Sequence, residues 1–348
     1  MSFEAWRRAL LVRSGILGTL QREWKLERTR DAERASKGLE RVTRDLARLQ
    51  QTAERVHQKV AEAAERTKRH DDRLDRQAAD IDRLSAASVD ADARAAALQR
   101  DVALARMTLM INAAHPGERH NGALAPDAIA AHITRSVLDA EVSTDPMPHL
   151  LVHNVLPSAT YDALLDAIPP AAFFSQRDPI KRNLKVRQLS IAPDWTLRAW
   201  SFFEDAVIPD MLVPAFVGRL QPWLTPGTAY HASAGRLMLR GPGYHLDPHL
   251  DPKRVTFTCL IYLARPGDSE SFGTQLFRID RTPEARRDQT FYPEEEGYRC
   301  EQVSAVPFRP NAALVFINGG GAHGADIPAT APAATERYAY QFYVSPAT

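Results

Sequence analysis

The chain has 348 residues, a formal net charge of +1 and two cysteines, Cys259 and Cys300. The length allows two domains, the near balance of charge removes any global attraction to nucleic acid, and two cysteines supply neither a disulfide framework nor a zinc cluster. No apolar run approaches the roughly 18 residues of a membrane helix, and the patch "ALLVRSGILGTL" is interrupted by Arg13 and lacks a clean cleavage site, so the expected location is cytoplasmic.

Composition then divides the chain. All 24 prolines lie at or after Pro116, and no Phe, Trp or Tyr occurs between Trp24 and Tyr161. A stretch without aromatics builds no globular core, so the first third and the remainder are different kinds of object. Residues 1–28 carry an apolar stripe of Phe3, Trp6, Leu10, Leu17, Leu20 and Trp24, surrounded by Arg7, Arg8, Arg13, Arg22 and Lys25. Such a basic amphipathic helix can dock residues 3–24 on a membrane surface, which would make the protein peripheral to a membrane, or on a protein partner; it can also simply begin a helical bundle.

Residues 29–111 read as a coiled coil. Stepping alternately by three and four from Leu39 to Leu109 visits 21 positions, of which 17 are apolar, while the positions between are mostly charged, Gln or Ala. Sustained heptads predict a left-handed coiled coil, and hence a homo-oligomer. The 71 residues from Leu39 to Leu109 would make a rod of roughly 105 Å at about 1.5 Å per residue. The seam mixes Leu, Val and Ala and is soft at Thr67, His70 and Gln77. A trimer is favoured over a dimer, with His70 a polar seam residue that sets register. "NAAHPGERHNGALAP", residues 112–126, ends the helix at Pro116 and Gly117 and reads as a linker.

Residues 127–348 read as an α+β domain. "HLLVHNVL" (149–156) and "NLKVRQLSI" (183–191) are predicted strands, and "SATYDALLDAI" (158–168) is a predicted amphipathic helix. Residues 195–224 are predicted helical and broken at Pro209 and Pro214. Seven short β-rich runs then follow from "GRLMLR" to "RYAYQFYV", separated by Gly and Pro, which suggests a sandwich or barrel.

One run, "GYHLDPHLDPK" (243–253), holds two His-x-Asp pairs, His245 with Asp247 and His249 with Asp251. A His and an Asp two apart on a strand point the same way and can serve one metal. A third ligand must come from far along the chain, and "FINGGGAHGADIP" supplies His323 just after an apolar strand. Three glycines before it permit close backbone approach. Arg337 opens the last strand. Strand geometry alone leaves open which pair joins His323.

From "GRLMLRGPGYHLDPHLDPKRVTFTCLIYLA" through "GTQLF" and "NAALVFINGGGAHG" to "ERYAYQFYV", the chain resembles the iron(II)- and 2-oxoglutarate-dependent dioxygenases, nearest the prolyl-4-hydroxylase-like branch. The resemblance covers about residues 148–346 and does not touch the rod. It implies a double-stranded β-helix, or jelly roll, with flanking helices. It implies His249, Asp251 and His323 as ligands of iron(II), because the family's His-x-Asp comes late in its strand, and the turn at Gly241–Gly243 puts His249 well along this one. It implies Arg337 and Tyr262 as contacts of the cosubstrate 2-oxoglutarate, with dioxygen at the remaining metal position and no catalytic residue beyond the metal ligands. A carboxylate at Asp251 implies hydroxylation rather than halogenation. His245 and Asp247 would share the ligand face and line the pocket as substrate contacts or supports of the ligands. The last strand carries Arg337-Tyr338-Ala339 where many relatives have Arg-x-Ser, and Gly273-Thr274 stands where they have Gly-Gly.

Two other readings differ in kind. One is a coiled-coil scaffold or binding protein with an inactive jelly-roll head. The other is a cupin-type metal-dependent isomerase, which usually offers more His ligands and no terminal Arg. The substrate itself is unreadable and could be a peptide, a metabolite or a glycan.

Overall fold

The computed structural model describes residues 37–114, 116–281, 283 and 288–347; the expected amphipathic helix of residues 1–28 lies outside them. The chain divides at Arg94 into two compact units, Met1–Arg94 and Ala95–Thr348.

Helix α1, Lys37–Ala113, accounts for all the described secondary structure of the first unit. It contains no proline and, after Gly38, no glycine, so nothing interrupts the backbone ladder. The apolar heptad positions are solvent-exposed in the single chain: Leu74 is 48% exposed, Ile81 64% and Leu84 67%. Short-range pairs such as Arg83 with Asp80, at 2.9 Å, decorate the rest of the surface. No helix among the described residues is long and apolar enough to cross a membrane.

The second unit is a mixed fold of helices and antiparallel sheet. Its helices are α2 (Pro126–Asp139), α3 (Ser158–Asp166), α4 (Asp194–Phe202) and α5 (Val213–Leu220). Its strands are β1 (Val142–Ser143), β2 (His149–Val152), β3 (Lys181–Leu184), β4 (Tyr230–Ala232), β5 (Arg236–Arg240) and β6 (His245–His249), then β7 (Phe257–Tyr262), β8 (Thr274–Ile279), β9 (Cys300–Val306), β10 (Ala312–Ile317), β11 (Ala322–Asp326) and β12 (Arg337–Pro346). One sheet runs β1-β2-β10-β7-β12-β5-β3, with β4 also paired to β12. The other runs β6-β11-β8-β9.

The large sheet is buried on both faces, and its strands accordingly read as continuous apolar runs. Alternation sends Ile261 and Tyr340 to a core shared with Trp200, Phe203 and Phe216 of the helical layer. Their neighbours Tyr262 and Ala339 turn the other way, toward Leu276, Phe308 and Leu314. The site lies on that second face.

Three local expectations change. The run 183–191 is strand only to Leu184, since Val186–Gln188 forms a single 3₁₀ turn. Residues 195–224 do not break at their prolines. Pro209 lies inside a π-helix, Phe203–Leu212, that joins α4 to α5, and Pro214 is the second residue of α5, so the helical path runs through both prolines. Residues 112–126 are held against the domain: the Asn112 side-chain oxygen accepts from the Asp194 N–H at 2.9 Å, His120 stacks on Trp195, and Thr160 donates to the Ala123 carbonyl at 2.7 Å.

Trp200 ties the helical layer to the sheet. It is fully buried, its indole N–H donates to the Ala167 carbonyl at 3.1 Å, and its ring stacks on Tyr340 with centroids 5.2 Å apart. Trp200→Ala is expected to cost about 3–5 kcal/mol, read as a lower urea midpoint with an unchanged slope.

Candidate active site

The site is built where β6 pairs with β11. His323 on β11 sits directly opposite His249 on β6, whereas Ala325 sits opposite Leu246 and Asp326 opposite His245. Between those pairs β6 spends one residue more than β11, a β-bulge at Asp247-Pro248. Proline has no N–H to give a ladder and is tolerated there. Gly324, across from the bulge, has no room for a side chain: a Cβ would lie 2.7 Å from the Leu246 carbonyl oxygen.

The extra residue reverses the alternation of faces. His245 and Asp247 therefore do not share a face with His249, contrary to the expectation of a regular strand, and they stand outside the cavity lining. They are exposed instead. His245 Nε2 lies 3.0 Å from Asp247 Oδ1 and its Nδ1 3.0 Å from Asp326 Oδ1. These two hydrogen bonds, Asp326 first, raise the His245 pKa above its ordinary value.

His249, Asp251 and His323 point inward together. They are 6%, 2% and 4% exposed, and one ligand atom from each lies within 4.8 Å of the others. His323 Nε2 is 3.8 Å from Asp251 Oδ2, and the two imidazole centroids are 4.1 Å apart. Burial, then the neighbouring His249, pushes the His323 pKa down to about 3. Burial also lowers that of His249. Both rings are thus neutral near pH 7 and offer lone pairs. His249 Nδ1 lies 3.0 Å from the Asp247 carbonyl, so it carries the proton and leaves Nε2 as the donor atom.

The carboxylate is held by its surroundings. Thr258 donates its hydroxyl to Asp251 Oδ2. The Asn318 side-chain amide donates to the carbonyls of Asp251, Pro252 and Val255 at 3.1, 3.0 and 3.0 Å, which pins the loop after β6. Neither residue was distinguishable in the sequence, where Thr258 stands seven residues after Asp251 and Asn318 sixty-seven.

Arg337 begins β12 on the same inner face. It is 4% exposed and lies across the rings of Tyr262 and Phe308, 5.6 and 5.0 Å from their centroids. Its Nε donates to the Phe272 carbonyl. Among the described residues no carboxylate pairs with it, and burial lowers its pKa. Tyr262 lies behind this guanidinium, with its hydroxyl donating to Thr274 at 2.8 Å. His249, Asp251, His323, Thr274 and Arg337 all line one cavity of about 130 Å³. Lys181, Arg236 and Arg240 line it too. The alternation of "GRLMLR" could have placed both of those arginines on one face; Lys181 carried no signal.

No family model matches the chain, and no curated protein sequence matches it. Solved structures do resemble it at low identity. HygX from Streptomyces hygroscopicus, with nickel, 2-oxoglutarate and hygromycin B bound, is 13% identical with a TM-score of 0.39, over 58% of this chain and 84% of that one. A Pseudomonas putida prolyl-4-hydroxylase is 17% identical with a TM-score of 0.36, over 63% and 100%. An oxidoreductase of the 2OG-Fe(II) oxygenase family from Burkholderia pseudomallei is 15% identical with a TM-score of 0.32, over 57% and 84%. Likeness at this level carries no functional argument by itself.

The geometry separates the two His-x-Asp pairs experimentally. His249→Ala is expected to abolish retention of added iron(II) after desalting, and His245→Ala to retain it. Loss of metal by the second variant and retention by the first would reverse the assignment.

Proposed function

We propose that the chain is an iron(II)- and 2-oxoglutarate-dependent oxygenase, a hydroxylase by reaction type, built on a double-stranded β-helix and oligomerised through α1. One observation carries the reading: a buried set of two neutral imidazoles and a carboxylate shares a small cavity with a buried guanidinium that has no carboxylate partner among the described residues. The strand order supports the barrel. From β5 onward the chain crosses between the sheets at every step except β8 to β9, so that β5, β7, β10 and β12 face β6, β8, β9 and β11.

The donor set fits iron(II), since two histidines and one carboxylate on one face leave three positions open. Iron(II) held there would couple decarboxylation of 2-oxoglutarate, with dioxygen, to oxidation of a substrate. The chain's own part is positioning. The Asp247 carbonyl orients His249, and Thr258 fixes Asp251. Arg337 has its Nε committed to Phe272, which leaves the two terminal nitrogens as a fork for the far carboxylate of 2-oxoglutarate. Tyr262 and Phe308 cover that fork and keep water from it.

An inactive scaffold head accounts less well for this site. A guanidinium buried against a cavity is costly unless an anion meets it. A cupin-type isomerase usually has more His ligands, and the cluster among the described residues holds two.

The whole protein incubated with iron(II), 2-oxoglutarate and dioxygen is expected to form succinate slowly without substrate. Arg337→Leu is expected to weaken 2-oxoglutarate binding while retaining iron. Removing the partner of a buried charge costs about 2–5 kcal/mol, or about 30- to 5,000-fold in affinity. An unchanged cosubstrate affinity would place the clamp elsewhere.

The exposed heptad positions of α1 support self-association, a trimer in preference to a dimer. Leu104 is 8% exposed and belongs to the domain core, so a shortened chain should keep it. Light scattering is expected to find the full chain oligomeric and a chain starting at Ala95 monomeric. A monomeric full chain removes the coiled-coil reading.

A further inference from the structure

The cavity holds more positive charge than the proposed cosubstrate uses. Lys181, Arg236, Arg240 and Arg337 line it against one carboxylate, Asp251. A divalent metal and the dianion 2-oxoglutarate would cancel each other, so four cations would still face one carboxylate.

The sheet register places these cations in two groups. Arg337 on β12, Arg240 on β5 and Lys181 on β3 are directly opposite one another across three strands. Like charges in that relation repel and destabilise a sheet. Arg240 is 3% exposed, and its contacts are neutral: the carbonyls of Arg182 and Leu239, the Asn183 side-chain oxygen, and the Tyr244 ring. Its terminal nitrogens are occupied, so it contributes field more than contact. Arg236 is four residues away along β5, about 13 Å at strand rise, near the metal ligands. Its Nε and Nη2 donate to the Gln341 side-chain oxygen, and Nη2 also reaches the Tyr343 hydroxyl at 3.3 Å. Tyr343 is in turn hydrogen-bonded to Asp251. Nη1 of Arg236 has no partner among the described residues. Lys181 is exposed and lines the same cavity at its rim. Arg236 therefore faces the metal ligands, Lys181 stands beside Arg240 at the Arg337 end of the same cavity, and Arg337 is left to the cosubstrate.

We propose that the substrate of this site carries an oxyanion, a carboxylate or a phosphate, held beside the metal by Arg236 and drawn in by the field of Lys181 at the rim. The proposal rests on the reading of the cavity as a 2-oxoglutarate site. It restricts a peptide substrate to an acidic or phosphorylated one and a metabolite or glycan to an acid or phosphate ester. Neutral side chains and unmodified sugars leave the rim cations without a counter-charge.

Inorganic sulfate serves as the probe, titrated calorimetrically at constant ionic strength into the whole protein saturated with manganese(II) and 2-oxoglutarate. Saturable sulfate binding is expected. Arg236→Gln is expected to weaken it by about tenfold or more, the scale of one charged hydrogen bond, and Lys181→Gln by a smaller but measurable factor. Arg236→Lys is expected to retain most of it, and 2-oxoglutarate affinity is expected to stay within about threefold of the unaltered protein in every variant. Sulfate binding that is absent, or indifferent to both substitutions, overturns the proposal. So does a tenfold loss of 2-oxoglutarate affinity in Arg236→Gln, which would assign Arg236 to the cosubstrate. Failure of the functional reading itself shows separately, as absence of 2-oxoglutarate binding to the unaltered protein. Lys181 is exposed, so its variant still tests the proposal should Arg236→Gln fold poorly.

Discussion

The bulge in β6 decides what this chain can hold. Side chains on a strand alternate with a period of two, so without the bulge His245, Asp247 and His249 would all face the same way. One extra residue at Asp247-Pro248 turns the first two to solvent and His249 inward, opposite His323. The cavity then receives two imidazoles and one carboxylate instead of a crowd of five titratable groups. A proline that cannot join the ladder and a glycine that leaves room opposite it make the bulge the low-energy arrangement for this sequence. Bulges beside active sites re-aim side chains in this way, and here the outcome is visible in hydrogen bonds. His245 is satisfied by two exposed carboxylates, whereas His249 is satisfied by a backbone carbonyl that also fixes its tautomer.

The same comparison marks the limit of sequence reading. The heptads of α1 and the β-rich runs from Arg236 onward were legible, because each is a repeat of local pattern that burial or helix geometry reads directly. The set His249, Asp251, His323 and Arg337 was legible only through the family resemblance, since strand alternation alone left both His-x-Asp pairs open. The orientation of His245 was not, because a bulge depends on how two strands far apart in sequence pair. Pro209 misled for a related reason. A proline reads as a helix breaker, but the wider turn of a π-helix packed between α4 and α5 accommodates it. Asn318 and Lys181 carried no signal at all. Their effect depends on the loop after β6 and on the register of β3 with β5.

Electrostatics and packing pull against each other at this site. Aligning Arg337, Arg240 and Lys181 across three strands costs stability, and a buried guanidinium costs more when its only protein acceptors are carbonyls. A sheet selected for stability alone would place apolar or opposite-sign residues there. The surrounding structure offsets the cost with neutral partners that do not quench the charge: Asn183 and two carbonyls for Arg240, Gln341 and Tyr343 for Arg236, and aromatic faces for Arg337. Carboxylates in those positions would stabilise the protein and quench the positive field in the cavity. Neutral support of this kind keeps each cation oriented and its field directed into the cavity.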